Sequence, residues 1–155
     1  MRISEVMKAA FSSFVPPQPT RGQEPGLVSG EAVPAIINAT RRGDHSMVVI
    51  NLATGNDVNE TDHLGRTALH FAAAQNLPTI VHALLSAGAH PNIADFEGYT
   101  PLHRAIEQQS IAIVTSLLAS GAEPSARTAD DDTALDIAES SGNKIIAEIL
   151  RNVRH

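Results

Sequence analysis

The chain has 155 residues, of which 43% are apolar, 18% charged and 3% aromatic, with neither Cys nor Trp. A formal net charge of −6 argues against nucleic-acid binding as the main role, because phosphate recognition needs a basic surface. The lack of Cys excludes disulfides, thiolate zinc sites, iron–sulfur clusters and Cys nucleophiles, and no apolar run approaches the ~18–20 residues of a membrane span.

The first predicted element is a helix. Ile3, Val6, Met7, Ala10, Phe11 and Phe14 fall at i, i+3, i+4, i+7, i+8 and i+11, one face of a helix. Pro16 and Pro17 stop it, and Pro19 to Gly30 reads as an extended linker rich in Pro, Gly and Gln. Three readings of residues 1–30 stay open. One is a targeting leader, although Glu5 and Lys8 interrupt any secretory apolar core. Another is a disordered tail, the default for a terminus. The third is an amphipathic anchor, docking through Phe11 and Phe14 on a partner or on the chain's own surface.

From residue 31 onward an internal period governs the sequence, and such a period decides architecture before any local feature does. At an offset of 33, Asp62 falls on Asp95, Gly65 on Gly98, and Thr67-Ala68-Leu69-His70 on Thr100-Pro101-Leu102-His103. Ala72 falls on Ala105, Ile80-Val81 on Ile113-Val114, Leu84-Leu85 on Leu117-Leu118, and Gly88-Ala89 on Gly121-Ala122. Ile36, Ala39, Leu52, Gly55 and Asn59 continue the register toward the N-terminus, and Thr133-Ala134-Leu135 and Ala138 toward the C-terminus. Four copies are therefore expected, over residues 31–61, 62–94, 95–127 and 128–155. In each, Thr caps a short helix, and small Ala residues let neighbouring helices approach. A second helix carries Ile, Val and Leu on one face, and Gly ends it in a left-handed conformation. A turn-rich stretch then leads to the next Asp-x-x-Gly. No copy can bury its apolar face alone, so the copies must stack.

These residues resemble the ankyrin repeat, whose pattern runs Asp-x-x-Gly-x-Thr-Pro-Leu-His-x-Ala-Ala, then Ile-Val-x-x-Leu-Leu, then Gly-Ala-Asp-x-Asn. Residues 62–127 follow it closely, with His90 and Glu123 in place of the late Asp, which Asp57 keeps in the first copy. Residues 31–61 look like an N-terminal cap. Residues 128–155 look like a terminal repeat in which Asp136 replaces the usual His and Asp131 the usual Gly. The resemblance implies an all-α solenoid of four helix–turn–helix repeats with hairpin loops. It also implies that His70 and His103 tie one repeat to the next by hydrogen bonds rather than hold a metal.

The other histidines show no metal-ligand spacing. Asp130-Asp131-Asp132 lacks the Gly and terminal Glu of a calcium loop and reads as a solvated hairpin tip or a small anionic patch. No catalytic set, phosphate loop or cofactor motif is present, so neither an enzyme nor a cofactor is expected. The resemblance implies instead a protein-recognition module that uses its hairpin tips and first helices. Carried over, those positions are Arg41 and Arg42; His63, Leu64, Arg66 and Gln75; Phe96, Glu97, Tyr99 and Gln108; and Asp130 and Asp132. Phe96 and Tyr99 are the leading anchors, since aromatics dominate interface hot spots. The competing expectation is that Phe96 folds back onto the neighbouring hairpin.

The second helices carry no Asp, Glu, Lys or Arg over residues 45–54, 78–87 and 111–120. Val49, Ala53, Thr79, His82, Ser86, Ala112, Thr115 and Ala119 fall where the family often has charge. This is either drift among tolerated small residues or a second, covered interface. The expected partner is a protein, either singly or within a larger complex, in an adaptor, scaffold or inhibitor role. Alternatives are a subunit that controls a partner enzyme, or a secreted effector acting on host proteins. A cytoplasmic location is expected, with an organelle or delivery into a host cell as alternatives.

Overall fold

In the computed structural model, residues 32–153 are described; the helix and linker expected within residues 1–30, Phe11 and Phe14 included, lie outside the described residues. Among the described residues there are eight helices and no strand. They are α1 (Ala35–Arg41), α2 (His45–Ala53), α3 (Ala68–Ala74), α4 (Pro78–Ser86), α5 (Pro101–Glu107), α6 (Ile111–Ala119), α7 (Ala134–Ser140) and α8 (Lys144–Val153). Helices pair within each copy as α1–α2, α3–α4, α5–α6 and α7–α8. The odd-numbered helices then stack on one another as an inner layer, and the even-numbered ones as an outer layer.

Side-chain caps start most of the helices; α1, which follows Pro34 where the other copies have Thr, and α4, which follows Leu77, have none. Thr67 accepts a hydrogen bond from the His70 N–H, while His70 Nδ1 accepts from the Thr67 N–H at 3.0 Å. This is a reciprocal capping box in which imidazole does the work of a carboxylate. Thr100 and His103 repeat it on α5, with Pro101 at the first helical position, where no N–H is needed. Thr133 and Asp136 repeat it on α7. The outer helices begin more simply: Asp44, Ser110 and Asn143 each accept a bond from an N–H three residues on. Gly88 and Gly121, predicted to end the second helices, sit at φ 94° and 95°, a conformation glycine adopts at no steric cost.

The core is a line of equivalent positions and has no single centre. Ala72, Ala105 and Ala138 are each fully buried on the inner helices, and their small side chains let these helices approach closely. Ile80, Ile113 and Ile146 form a second buried row, and Leu84, Leu117 and Leu150 a third. Asn51 occupies that third row in the first copy. It remains buried because its amide donates to the Met47 carbonyl at 2.7 Å and its side-chain oxygen accepts from Asn56, as a buried amide must.

Candidate protein-interaction surface

Three hairpin loops project from the stack, and each is built around one oxygen-bearing side chain. Asp62 Oδ1 accepts the N–H groups of Leu64 and Arg66, both at 2.9 Å, and the Asp62 N–H donates to the Arg66 carbonyl. Asp95 does the same for Glu97 and Tyr99. In the next copy Thr128 takes that role through its hydroxyl, accepting from Asp130 and Asp132. Successive tips are joined by single backbone bonds, Phe96 N–H to the Leu64 carbonyl at 3.0 Å and Ala129 N–H to the Glu97 carbonyl at 2.8 Å. The tips are therefore one continuous ridge.

Behind the ridge, the histidines cross from one repeat to the next. The Thr67 N–H and hydroxyl both point at His70 Nδ1, so that nitrogen is bare and Nε2 carries the proton. Nε2–H then donates to the Tyr99 carbonyl of the following hairpin at 2.8 Å. His103 repeats the arrangement, reaching the Ala126 carbonyl at 3.1 Å. Both rings are almost fully buried, and burial holds their pKa values below the usual histidine range. With both nitrogens already bonded, neither ring is free to ligate a metal. Asp136 keeps only the local half of this device, accepting from the Thr133 N–H and hydroxyl. Those bonds hold its carboxyl below the ordinary carboxylate value.

The sequence-predicted contact residues divide into two groups. Arg41, Arg42, His63, Leu64, Gln75, Phe96, Glu97, Gln108, Asp130 and Asp132 are exposed. Phe96 is the most exposed large apolar residue among those described, at 77%, although its ring also lies against Gly65. The ring therefore rests on the neighbouring hairpin, as the competing expectation had it, with most of its surface in solvent. Tyr99 and Arg66 are half-buried and engaged within the chain. The Arg104 guanidinium lies 3.9 Å from the Tyr99 ring centroid, and His103 meets that ring edge-on. Arg66 lies 4.8 Å from the Phe71 centroid and pairs with Asp62 at 2.9 Å. Burial alone raises the Asp62 carboxyl, but the Arg66 and Leu64 hydrogen bonds outweigh it and hold the group below its ordinary value.

Phe71 and Arg104 were not among the sequence-predicted contacts, yet a signal for both exists at the 33-residue offset. Arg66 falls on Tyr99, and Phe71 falls on Arg104. The cation and the ring have exchanged places between successive copies, and the stacked pair survives the exchange. A cavity of about 320 Å³ lies where the two pairs meet, lined by Arg66, His70, Phe71, Ala74, Arg104, Glu107 and Gln108. On the opposite side of the stack, Val49, Ala53, Thr79, His82, Ser86, Ala112, Thr115 and Ala119 are all exposed, as are Met47, Ile50 and Ile111.

A family model of ankyrin repeats (3 copies) matches residues 36–128. The chain belongs to the ankyrin-repeat family. No curated protein matches it in sequence. The family match ends in the third hairpin, and beyond it α7 and α8 pack together as the earlier helix pairs do. Ankyrin repeats are generic protein–protein interaction modules and typically non-catalytic. No helix among the described residues is long and apolar enough to cross a membrane.

Proposed function

We propose that this ankyrin-repeat chain is a non-catalytic recognition subunit that holds a protein partner along its hairpin ridge and inner helices. The observation that carries the reading is Phe96: a large ring, 77% exposed, on a ridge whose backbone is fixed by tip-to-tip hydrogen bonds. Rigid presentation of an exposed aromatic lowers the ordering cost of binding, and such anchors dominate interface energetics. Arg66 and Tyr99 contribute as pre-ordered groups beside it. The exposed, uncharged faces of α2, α4 and α6 favour a scaffold with a second interface over an inhibitor that uses one face.

The test is affinity capture of the tagged full chain at native expression, quantified against a Phe96→Ala variant. Loss of the captured partner with an unchanged melting temperature supports the reading. Undiminished capture overturns the ridge as the contact surface. A captured enzyme whose rate changes on binding would assign the regulatory role instead of the scaffold role.

A further inference from the structure

We infer that the first two repeats select an acidic peptide segment, which lies over Arg41, Arg42, Phe71 and Arg66; this rests on the recognition reading above. Phe71 stands in the inner layer with guanidinium groups of two different repeats on its ring, Arg66 at 4.8 Å and Arg41 at 5.8 Å. Arg66 is held in place from beneath by Asp62, whose carboxylate is almost fully buried. Arg41 has no such support: neither it nor Arg42 forms an ion pair among the described residues, and both are exposed. One guanidinium without an ion pair among the described residues, Arg41, and one fixed guanidinium, Arg66, therefore share an aromatic floor, with exposed Arg42 next to Arg41 in sequence; Phe71 and Arg66 also line the 320 Å³ cavity. A partner carboxylate there meets planar donors already oriented by the ring, the geometry that suits bidentate pairing.

The far end of the same surface carries the opposite sign. Arg104 is already paired with both Asp95 and Glu107, at 3.2 Å each. Glu97, Asp130 and Asp132 are exposed around it. An acidic segment is repelled from the second and third hairpins, which carry Glu97, Asp130 and Asp132, and accepted by the first two inner helices, so charge sets its register as well as its affinity. Inner helices pack ~8–10 Å apart, so an extended segment of about ten residues, ~33 Å long, is more than long enough to cross the first two inner helices from Arg41 to Phe71.

The experiment uses the ¹⁵N-labelled full chain and three synthetic peptides of about ten residues: one alternating Glu and Ala, one Lys and Ala, one Gln and Ala. The Glu peptide is expected to shift the amides of Arg41, Arg42, Arg66 and Phe71. Its affinity should fall on the order of tenfold in an Arg41→Glu/Arg42→Glu variant and fall again as salt rises from about 50 to about 300 mM. Asp130→Lys/Asp132→Lys should leave that affinity unchanged or raise it. If the Lys or Gln peptide occupies these residues instead, the acidic preference is overturned and the recognition reading stands. If the Glu peptide shifts only other parts of the surface, or if no peptide reaches the inner helices, the inference is overturned, and partner capture alone decides the recognition reading. Melting temperatures of both double variants check that each is folded.

Discussion

His70 Nε2–H meets the Tyr99 carbonyl at 2.8 Å, across 29 residues of sequence, and this one bond joins the capping box of one repeat to the hairpin of the next. Protonating the ring destroys the arrangement, because Nδ1 must stay bare to accept from Thr67. Burial lowers the folded-state pKa of His70 and of His103 below the ordinary 6.5. In the interval between the two values the unfolded chain binds more protons than the folded one, so stability rises with pH there. The stabilisation is complete above about 6.5 and is lost progressively as the pH falls toward the folded-state values. Urea unfolding at a series of pH values from about 8 to about 5 should show a midpoint that declines below about 6.5. His70→Gln/His103→Gln should flatten that decline, since Gln at the same helix position retains the cap without titrating. An equally steep decline in the double variant would assign the acid sensitivity to other groups.

Glycines at positive φ divide by what surrounds them. Gly98 sits at φ 82°, and a Cβ there would stand 2.9 Å from both the Ala129 nitrogen and the Thr128 Cα. Those are backbone atoms of the next hairpin and cannot swing aside. Gly121 sits at φ 95° with nothing within 4 Å. Gly121→Ala should therefore cost only the left-handed penalty, about 1–2 kcal/mol. Gly98→Ala should cost that and a further 1–3 kcal/mol or so of steric strain, and should separate the tips joined by the Ala129–Glu97 bond. Chemical denaturation of the two variants compares them directly; equal losses would mean that the hairpins yield to the added methyl group.

The repeat was legible because its signals are local and periodic. Thr caps, terminal glycines and Ile, Val and Leu rows recur at a fixed offset, and each acts within its own copy. The candidate contact positions follow from the same register, which places Phe96 on a tip whatever its neighbours do. What register alone did not give was pairing between side chains. Arg66 with Phe71 and Tyr99 with Arg104 are the same stacked pair written in opposite order, so a position-by-position comparison sees two mismatches where the structure shows one conserved contact. Register likewise placed Tyr99 beside Phe96 as an expected anchor without showing that the Arg104 guanidinium stacks on its ring. Thr128 stands where Asp62 and Asp95 stand in the earlier copies, and its hydroxyl accepts from the same two N–H positions as their carboxylates.

That equivalence can be measured at Asp95, which is 7% exposed. Its Oδ1 accepts from Glu97 and Tyr99, and its Oδ2 accepts from Arg104. Asp95→Ala leaves two backbone N–H groups without their partner and Arg104 with only Glu107, and should cost about 2–4 kcal/mol. Asp95→Thr restores an acceptor for the two N–H groups, as Thr128 shows, and should cost roughly half as much, the remainder being the lost charge-assisted bond. Similar losses in both variants would show that the Arg104 pair, and not the turn, is what Asp95 chiefly stabilises.

The last hairpin retains an uncorrected strain. Asp131 stands at φ 71°, where the preceding hairpins have Gly65 at 80° and Gly98 at 82°. A side chain in this left-handed region is disfavoured, though less for Asp than for most residues. Nothing that Asp131 does with its carboxylate offsets this by much: its pair with Arg127 is 3.4 Å long, with both side chains more than half exposed, and such pairs contribute little. The closer contact, Arg127 to the Asp131 carbonyl at 2.7 Å, belongs to the backbone and survives substitution. Asp131→Gly should therefore stabilise the chain by about 0.5–1 kcal/mol, after the larger backbone entropy of glycine in the unfolded state is counted against it. A rise in the urea midpoint at constant slope would confirm the gain. A fall would mean that the Arg127 pair holds the hairpin more firmly than its exposure implies.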